Sequence, residues 1–254
     1  MLDITQEGTE KKVTIPRGDV YYQEVGEGQP VVFLHGSGPG ATGWSNFASN
    51  MAELGEKFRC IAIDLPGWGK SFPVTWDQRD HHIAVRDVLD ALGIDKAAVV
   101  GNSMGGAVAI KFAATFPDRI THLITMGAGS PAVKLFGPGD GPTEGLKVLQ
   151  EGYRNPSVEQ MKKLTEIMTF DSGNATDALA KQRSDNAKAN QTHLDNFKEG
   201  LGKPRKGMAT DDELRQITCP TLLIHGRDDR VVHYENSLYL CAVISDSRVV
   251  LINR

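Results

Sequence analysis

The stretch Ala98-Val99-Val100-Gly101-Asn102-Ser103-Met104-Gly105-Gly106-Ala107 runs an apolar, β-branched segment into a serine closely flanked by glycines. The pattern predicts a strand over Ala97–Val100 and a helix over Met104–Thr115, so Gly-x-Ser-x-Gly falls on the turn between them. A serine on such a turn holds its Oγ above the strand ends in a strained backbone conformation, and the positions closest to it must be tiny. The helix that follows points its N-terminus at the serine, where the Met104 N–H can receive a developing oxyanion. Ser103 is therefore the candidate nucleophile. A glycine-rich turn with an idle serine would read the same in isolation, so the surroundings must decide.

To either side, short apolar runs alternate with amphipathic stretches. Strands are predicted at Val20–Glu24, Val31–Leu34, Arg59–Ile63, His122–Met126, Thr221–His225 and Arg248–Ile252, and helices at Trp44–Leu54, Arg79–Leu92 and Tyr234–Val243. Several strands are continuous apolar runs, as expected where both sheet faces are covered. In the second of these helices Ile83, Val85, Val88, Leu89 and Leu92 form one stripe, and Gly93 is a plausible stop. This order predicts an α/β protein with a mostly parallel, doubly wound sheet, the first two strands being an antiparallel lead-in. The rhythm breaks between about Ser130 and Asp211. There Gly137-Pro138-Gly139-Asp140-Gly141-Pro142 reads as a hinge-like loop, helices are predicted at Thr143–Tyr153, Val158–Thr169 and Ala175–Asn190, and Lys203-Pro204-Arg205-Lys206-Gly207 leads back to strands. The expected organisation is a core over 1–129, a helical cap over 130–210 and a second core segment over 211–254.

Two further segments give Ser103 its context. Leu34-His35-Gly36-Ser37-Gly38-Pro39-Gly40 follows an apolar strand where a second oxyanion donor belongs, and the Ser37 N–H is the candidate. Gly226-Arg227-Asp228-Asp229-Arg230 places carboxylates just past a late strand, where the acid of a Ser, acid, His triad belongs. A Gly-x-x-Asp turn brings its fourth residue back toward the site, favouring Asp229 over Asp228; the bland alternative is a solvated loop carboxylate. Gly36-x-Gly38-x-x-Ala41 also fits a dinucleotide fingerprint, with Asp64 at about the right distance. That reading fails because His35 precedes the glycines, the next helix opens only after further loop, and Asp64 sits in a turn-rich segment.

Composition excludes other classes. With 28 basic and 32 acidic residues the net charge is −4, which gives no footprint for nucleic acid or an anionic membrane. Cys60, Cys219 and Cys241 are an odd number without CxxC spacing, which suits reduced thiols in the cytoplasm. Asp80, His81 and His82 resemble a metal cluster only superficially, so neither a metal nor a cofactor is expected. The polar N-terminus and the lack of an ~18-residue apolar run argue against a secretory signal or a membrane span.

His35 through Asn46, with Gly101-Asn102-Ser103-Met104-Gly105-Gly106, resembles the meta-cleavage product hydrolases, the carbon–carbon bond hydrolases of bacterial aromatic degradation within the α/β-hydrolase superfamily. The likeness extends to Pro142-Thr143-Glu144-Gly145, to Thr176-Asp177-Ala178-Leu179 with Arg183 beyond it, and to Gly226–Arg230. It implies an α/β-hydrolase fold and a small-molecule substrate of the 2-hydroxy-6-oxohexa-2,4-dienoate type, cut by water to 2-hydroxypenta-2,4-dienoate and a carboxylic acid. Arg183 would grip the dienoate carboxylate, with Asn46 and Asn102 donating further hydrogen bonds; a surface arginine on a cap helix is the plainer reading. Met168 stands near a position where relatives often carry an aromatic, so it would shape the acyl pocket. Relatives commonly associate, so a homo-oligomer is expected.

One departure stands out. The family's catalytic histidine lies in a Gly-His-Trp segment after the last core strand, and none of His35, His81, His82, His122, His193, His225 and His233 follows Arg248–Ile252. The chain is therefore expected to be incomplete at its C-terminus. A carboxylesterase on the same fold and a non-catalytic ligand-binding relative remain the alternatives.

Overall fold

The computed structural model describes residues 1–131, 136, 141–203 and 206–253. The chain opens with a short helix α1 (Gln6–Thr9) and two strands, β1 (Glu10–Ile15) and β2 (Gly18–Val25). It continues through β3 (Gln29–Leu34), α2 (Gly43–Leu54), β4 (Phe58–Ile63), α3 (His81–Ala91), β5 (Ala97–Asn102), α4 (Met104–Thr115) and β6 (Ile120–Met126). Four helices follow: α5 (Glu144–Arg154), α6 (Val158–Met168), α7 (Asp177–Ala189) and α8 (Gln191–Glu199). The short α9 (Asp211–Leu214), β7 (Thr221–Gly226), α10 (Glu235–Val243) and β8 (Ser247–Ile252) complete the order. The strands form one sheet in the order β1-β2-β4-β3-β5-β6-β7-β8, parallel from β4 through β8 and antiparallel where β2 meets β1 and β4.

The continuous apolar runs follow from burial on both faces. In β3, Val32 and Leu34 join one core with Val85 and Val88 of α3 and Phe112 of α4, while Val31 and Phe33 face the other side against Phe47 and Met51 of α2. Neighbours in a strand point to opposite faces, so no position in such a strand can be polar without loss. Each of these side chains contributes roughly 1.5–3 kcal/mol by leaving water.

Strand order reverses at β3, which lies between β4 and β5. The chain winds to one side of β3 and then to the other, opening a crevice at the C-terminal ends of β3 and β5. The helices between β6 and β7 have their own core of Leu149, Tyr153, Met161, Leu164, Ala180, Ala187 and Leu194. Three of them start on hydroxyl caps, Thr143, Ser157 and Thr176, each accepting from the amide three residues on, each worth about 1 kcal/mol. They are tied to the sheet by the Gly145 N–H on Arg230 O at 3.0 Å and by the Thr143 hydroxyl on Val231 O at 2.9 Å.

Some expectations need correction. The predicted strand at Val20–Glu24 does not pair with Val31–Leu34; the antiparallel lead-in is β1 with β2, and β3 is a central parallel strand. β1 is absent from the predicted strands because Glu10, Lys11 and Lys12 hide an edge strand behind charge. The helix expected over Ala175–Asn190 ends at Ala189, and α8 follows immediately. Of the expected loops, residues 137–140 and 204–205 lie outside the described residues. No described helix is long and apolar enough to cross a membrane, and all three cysteines are free thiols.

Candidate active site

The turn between β5 and α4 is built by contact distances that admit no side chain. A Cβ on Gly101 would stand 2.3 Å from the Gly105 carbonyl oxygen, and one on Gly105 would stand 2.0 Å from that of Leu34. Between them Ser103 adopts φ 52° and ψ −112°, the only positive φ outside glycine among the described residues. Such a conformation costs about 1–3 kcal/mol and persists only where its surroundings impose it. Here the Ser103 N–H donates to Met126 O at 2.7 Å and its carbonyl accepts from Ala107 at 3.1 Å. The hydroxyl makes no hydrogen bond among the described residues and faces two cavities. At the first position of α4, the Met104 N–H has no carbonyl one turn back to reach.

The loop after β3 lies opposite. His35 is buried; its Nε2 accepts from the Leu65 N–H at 3.0 Å, so Nδ1 carries the proton and donates to Gly36 O at 2.8 Å. Burial pulls its pKa down to about 4, so it is a neutral brace near pH 7. The Ser37 carbonyl accepts from the Tyr153 hydroxyl at 2.5 Å, and Tyr153 Oη accepts from Trp68 Nε1 at 3.1 Å. Tyr153 also stacks on Phe197 at 3.7 Å between centroids. An insertion helix thus fixes the backbone orientation of Ser37.

Asn46 and Asn102 are joined: Asn46 Oδ1 accepts from Asn102 Nδ2 and from the Gly36 N–H, each at 3.3 Å. Because Asn46 Nδ2 is engaged with both Thr42 O at 3.2 Å and the Ser45 hydroxyl at 3.3 Å, Asn102 has the spare N–H, and Asn46 orients it.

Asp229 lies on a turn closed by its own N–H to Gly226 O at 3.2 Å. Its Oδ1 accepts from the amides of Val231 and Val232 at 2.7 and 2.9 Å. Oδ2 lies 3.5 Å from His225 Nε2, but that nitrogen is 2.7 Å from Val232 O and the other ring nitrogen is 2.7 Å from the Ser237 hydroxyl. His225 therefore braces the turn. Asp228 is exposed and paired with Arg227.

Arg183, on α7, reaches over the loop after β3, where a Cβ on Gly38 would lie 3.4 Å from its Nη1. Its Nε is buried without a partner, and it has no ion pair among the described residues. Burial lowers its pKa, the mark of a desolvated cation.

These groups converge. A cavity of about 140 Å³ is lined by Ser37, Asn46, Asn102, Ser103, Met168, Arg183 and Asp229. A second, of about 260 Å³, shares Ser37, Ser103, Leu149 and Val232 with it and adds Met104 and apolar walls. Ser103 and the seven other residues singled out from sequence thus line these two adjoining cavities. Sequence reasoning missed Tyr153 and Arg79, and gave His81, in the wall of the larger cavity with Arg79, no role beyond a superficial likeness to a metal ligand. Among the described residues no group of three metal-ligating side chains comes together.

A strained serine at the switch point of such a sheet, between a helix N-terminus and a glycine-rich loop, defines an α/β hydrolase, and the model for the alpha/beta hydrolase fold matches residues 29–253. A 2-hydroxy-6-oxononadienedioate/2-hydroxy-6-oxononatrienedioate hydrolase of Cupriavidus pinatubonensis is 40% identical, the match covering 99% of this chain and 90% of the relative. One from Pseudomonas putida is also 40% identical, covering 100% and 92%. The meta-cleavage product hydrolase CumD of Pseudomonas fluorescens IP01 superposes with a TM-score of 0.83 at 30% identity, over 97% of this chain and 90% of that one. Within the α/β hydrolases, the chain belongs to the meta-cleavage product hydrolases.

Proposed function

We propose that this protein hydrolyses the carbon–carbon bond next to the 6-keto group of a 2-hydroxy-6-oxohexa-2,4-dienoate, releasing 2-hydroxypenta-2,4-dienoate and a carboxylic acid. The observation that carries this reading is Arg183, a desolvated guanidinium without an ion pair in the same small cavity as Ser103. A buried cation calls for an anion, and the planar fork suits a carboxylate taken bidentately. A plain ester offers it nothing, which disfavours the carboxylesterase alternative.

The chemistry follows from where the groups stand. Arg183 holds the dienoate carboxylate and Asn102 donates to the neighbouring 2-oxygen. The enol proton moves to C5, leaving a 2,6-diketone whose 2-carbonyl is an electron sink. Ser103, deprotonated by the histidine that the family resemblance places after β8, attacks C6 or activates a water that does. Asp229 orients that imidazole through Oδ2, its Oδ1 being held by two amides. The Ser37 and Met104 amides receive the oxyanion at C6, at roughly 3 kcal/mol per donor. Breaking the C5–C6 bond sends its electron pair into the 2-carbonyl, and proton uptake completes the dienol product. Met168 bounds the pocket, residues 130–210 act as a cap over it, and the protein works as a cytoplasmic homo-oligomer.

The test is loss of the substrate's dienolate absorbance with purified full-length enzyme. Wild type should turn over, and Ser103→Ala should lower kcat by several orders of magnitude while still binding substrate. Near-normal turnover in the variant would remove Ser103 from the mechanism.

A further inference from the structure

The loop after β3 carries the Ser37 amide, and every residue of Ser37-Gly38-Pro39-Gly40 is met by the insertion. The Ser37 carbonyl accepts from the Tyr153 hydroxyl of α5 at 2.5 Å. Gly38 faces the Arg183 guanidinium, a Cβ there standing 3.4 Å from Nη1. Pro39 packs on Gly152 of α5, where a Cβ would stand 3.1 Å from the Pro39 Cγ. Gly40, at φ 68°, packs on the backbone of α7: a Cβ there would stand 2.3 Å from the Arg183 carbonyl oxygen and 3.1 Å from the Ala187 nitrogen.

Arg183 therefore meets this loop twice, by its side chain at Gly38 and by its backbone at Gly40. Elsewhere α7 is tied into the insertion, by the Ser184 hydroxyl on Pro156 O at 2.6 Å and by Lys162 on Asp177 at 2.7 Å. Against the core it rests on this loop by packing, and no hydrogen bond joins the two among the described residues. An anion that engages the guanidinium thus loads the same backbone that Gly40 leans on. Position 40 demands glycine twice over, for its positive φ and because the approach of α7 leaves no room for a methyl group. The Ser37 N–H belongs to the loop's backbone, so its aim follows wherever the loop is seated. A displacement of about 1 Å is enough to cost a positioned group about a hundredfold in rate.

We propose that Gly40 is a positioning residue that couples the carboxylate site to the oxyanion hole: an anion on Arg183 seats α7 on the loop after β3 and so aims the Ser37 amide at the reacting carbonyl. This rests on the carbon–carbon hydrolase reading above. Binding of the dienoate end is thereby expressed in the transition state, where it raises kcat and not affinity alone.

The experiment reads the two sites with separate small molecules on full-length protein. A short alkyl trifluoromethyl ketone reads the hole: Ser103 Oγ bonds to its carbonyl carbon, the hydroxyl proton passes to the histidine, and the ketone oxygen becomes the oxyanion. Pyruvate, a carboxylate with an adjacent oxygen, reads Arg183. Saturating pyruvate should lower the ketone's inhibition constant in wild type about fivefold or more, measured on hydrolysis of a neutral short-chain ester. Gly40→Ala should bring that factor toward one, and Arg183→Gln should abolish it. If thermal melting shows that Gly40→Ala does not fold, Tyr153→Phe frees the same loop from α5 and should likewise lower the factor. A wild-type inhibition constant that pyruvate leaves unchanged or raises would overturn the coupling and leave the hydrolase reading standing. So would a full pyruvate effect in folded Gly40→Ala, in its Tyr153→Phe substitute, or in Arg183→Gln. Failure of wild type to cleave the dienoate, with the pyruvate effect intact, would overturn the hydrolase reading instead. A ketone that does not inhibit wild type would overturn both.

Discussion

Replacing Arg183 with alanine separates carbon–carbon hydrolysis from ester hydrolysis on the same scaffold. In the free protein the Arg183 Nε is buried without a hydrogen-bond partner, so the desolvation cost of the charge is already met before substrate arrives. In the proposed mechanism the dienoate carboxylate then gains a charge-assisted, bidentate contact. Losing such a contact costs about 2–5 kcal/mol, or about 30-fold to several thousand-fold in kcat/KM. A neutral short-chain ester never touches the guanidinium, and its hydrolysis should fall far less. Arg183→Lys should recover only part of the dienoate activity, because an ammonium cannot reproduce the planar fork. The unliganded alanine protein should melt at or above the wild-type temperature, since the substitution removes a half-buried cation whose Nε is buried without a partner. The assay is steady-state kinetics of full-length wild type and both variants on the dienoate and the ester side by side, with melting curves for each. Equal losses on the two substrates would mean that Arg183 is structural. A negligible loss on the dienoate would place its carboxylate elsewhere.

Two other expectations follow from buried groups around the site. Tyr153→Phe removes the hydroxyl that holds the Ser37 carbonyl and leaves Trp68 Nε1 without an acceptor; kcat should fall about tenfold and stability by about 1 kcal/mol, measured by kinetics and urea unfolding, with an unchanged kcat refuting the positioning role. Burial depresses the His35 pKa to about 4 and that of His81 to about 3, so their stabilising neutral forms are fully present above pH 6.5 and lost as pH falls. Asp64 runs the other way: its pKa is raised to about 6 by burial, so its contribution is present at low pH and lost as pH rises through 6. Two histidines against one aspartate leave a net loss of stability as pH falls from about 6 to about 4.5. Urea midpoints across that window should show the decline, and His35→Gln should flatten it; a flat wild-type profile would refute the assignment.

How much of this was legible in the sequence depended on whether the backbone or a distant side chain made the constraint. Ser103 could be read because its turn excludes side chains at Gly101 and Gly105, a demand that leaves letters in the sequence. The parallel strands could be read because burial on both faces forces unbroken apolar runs, as in Val31–Leu34. β1 could not, since its three charged residues are tolerated at an edge and only the ladder to β2 makes it a strand. The break at Asn190 (φ −124°, ψ 64°) separates two polar helices without a glycine or proline to mark it. Tyr153 and Arg79 left no signal at all. Their partners Ser37 and Asn196 are 116 and 117 residues away, across the seam between insertion and core.

That division has a chemical meaning. Ser103, Ser37, Met104 and Asp229 all stand just past the ends of sheet strands, so the groups of the proposed reaction are held by the backbone of the core. Arg183 and Met168 come from the insertion, Tyr153 and Phe197 reach down from it, and Arg79 meets it from below. The residues that would choose a substrate therefore lie along a seam that can be repacked without disturbing the strained serine. An exchange of substrate preference should need changes along this seam and leave the turn at Ser103 untouched, which is why the Gly-x-Ser-x-Gly motif points to a class of reaction and is silent about the tail.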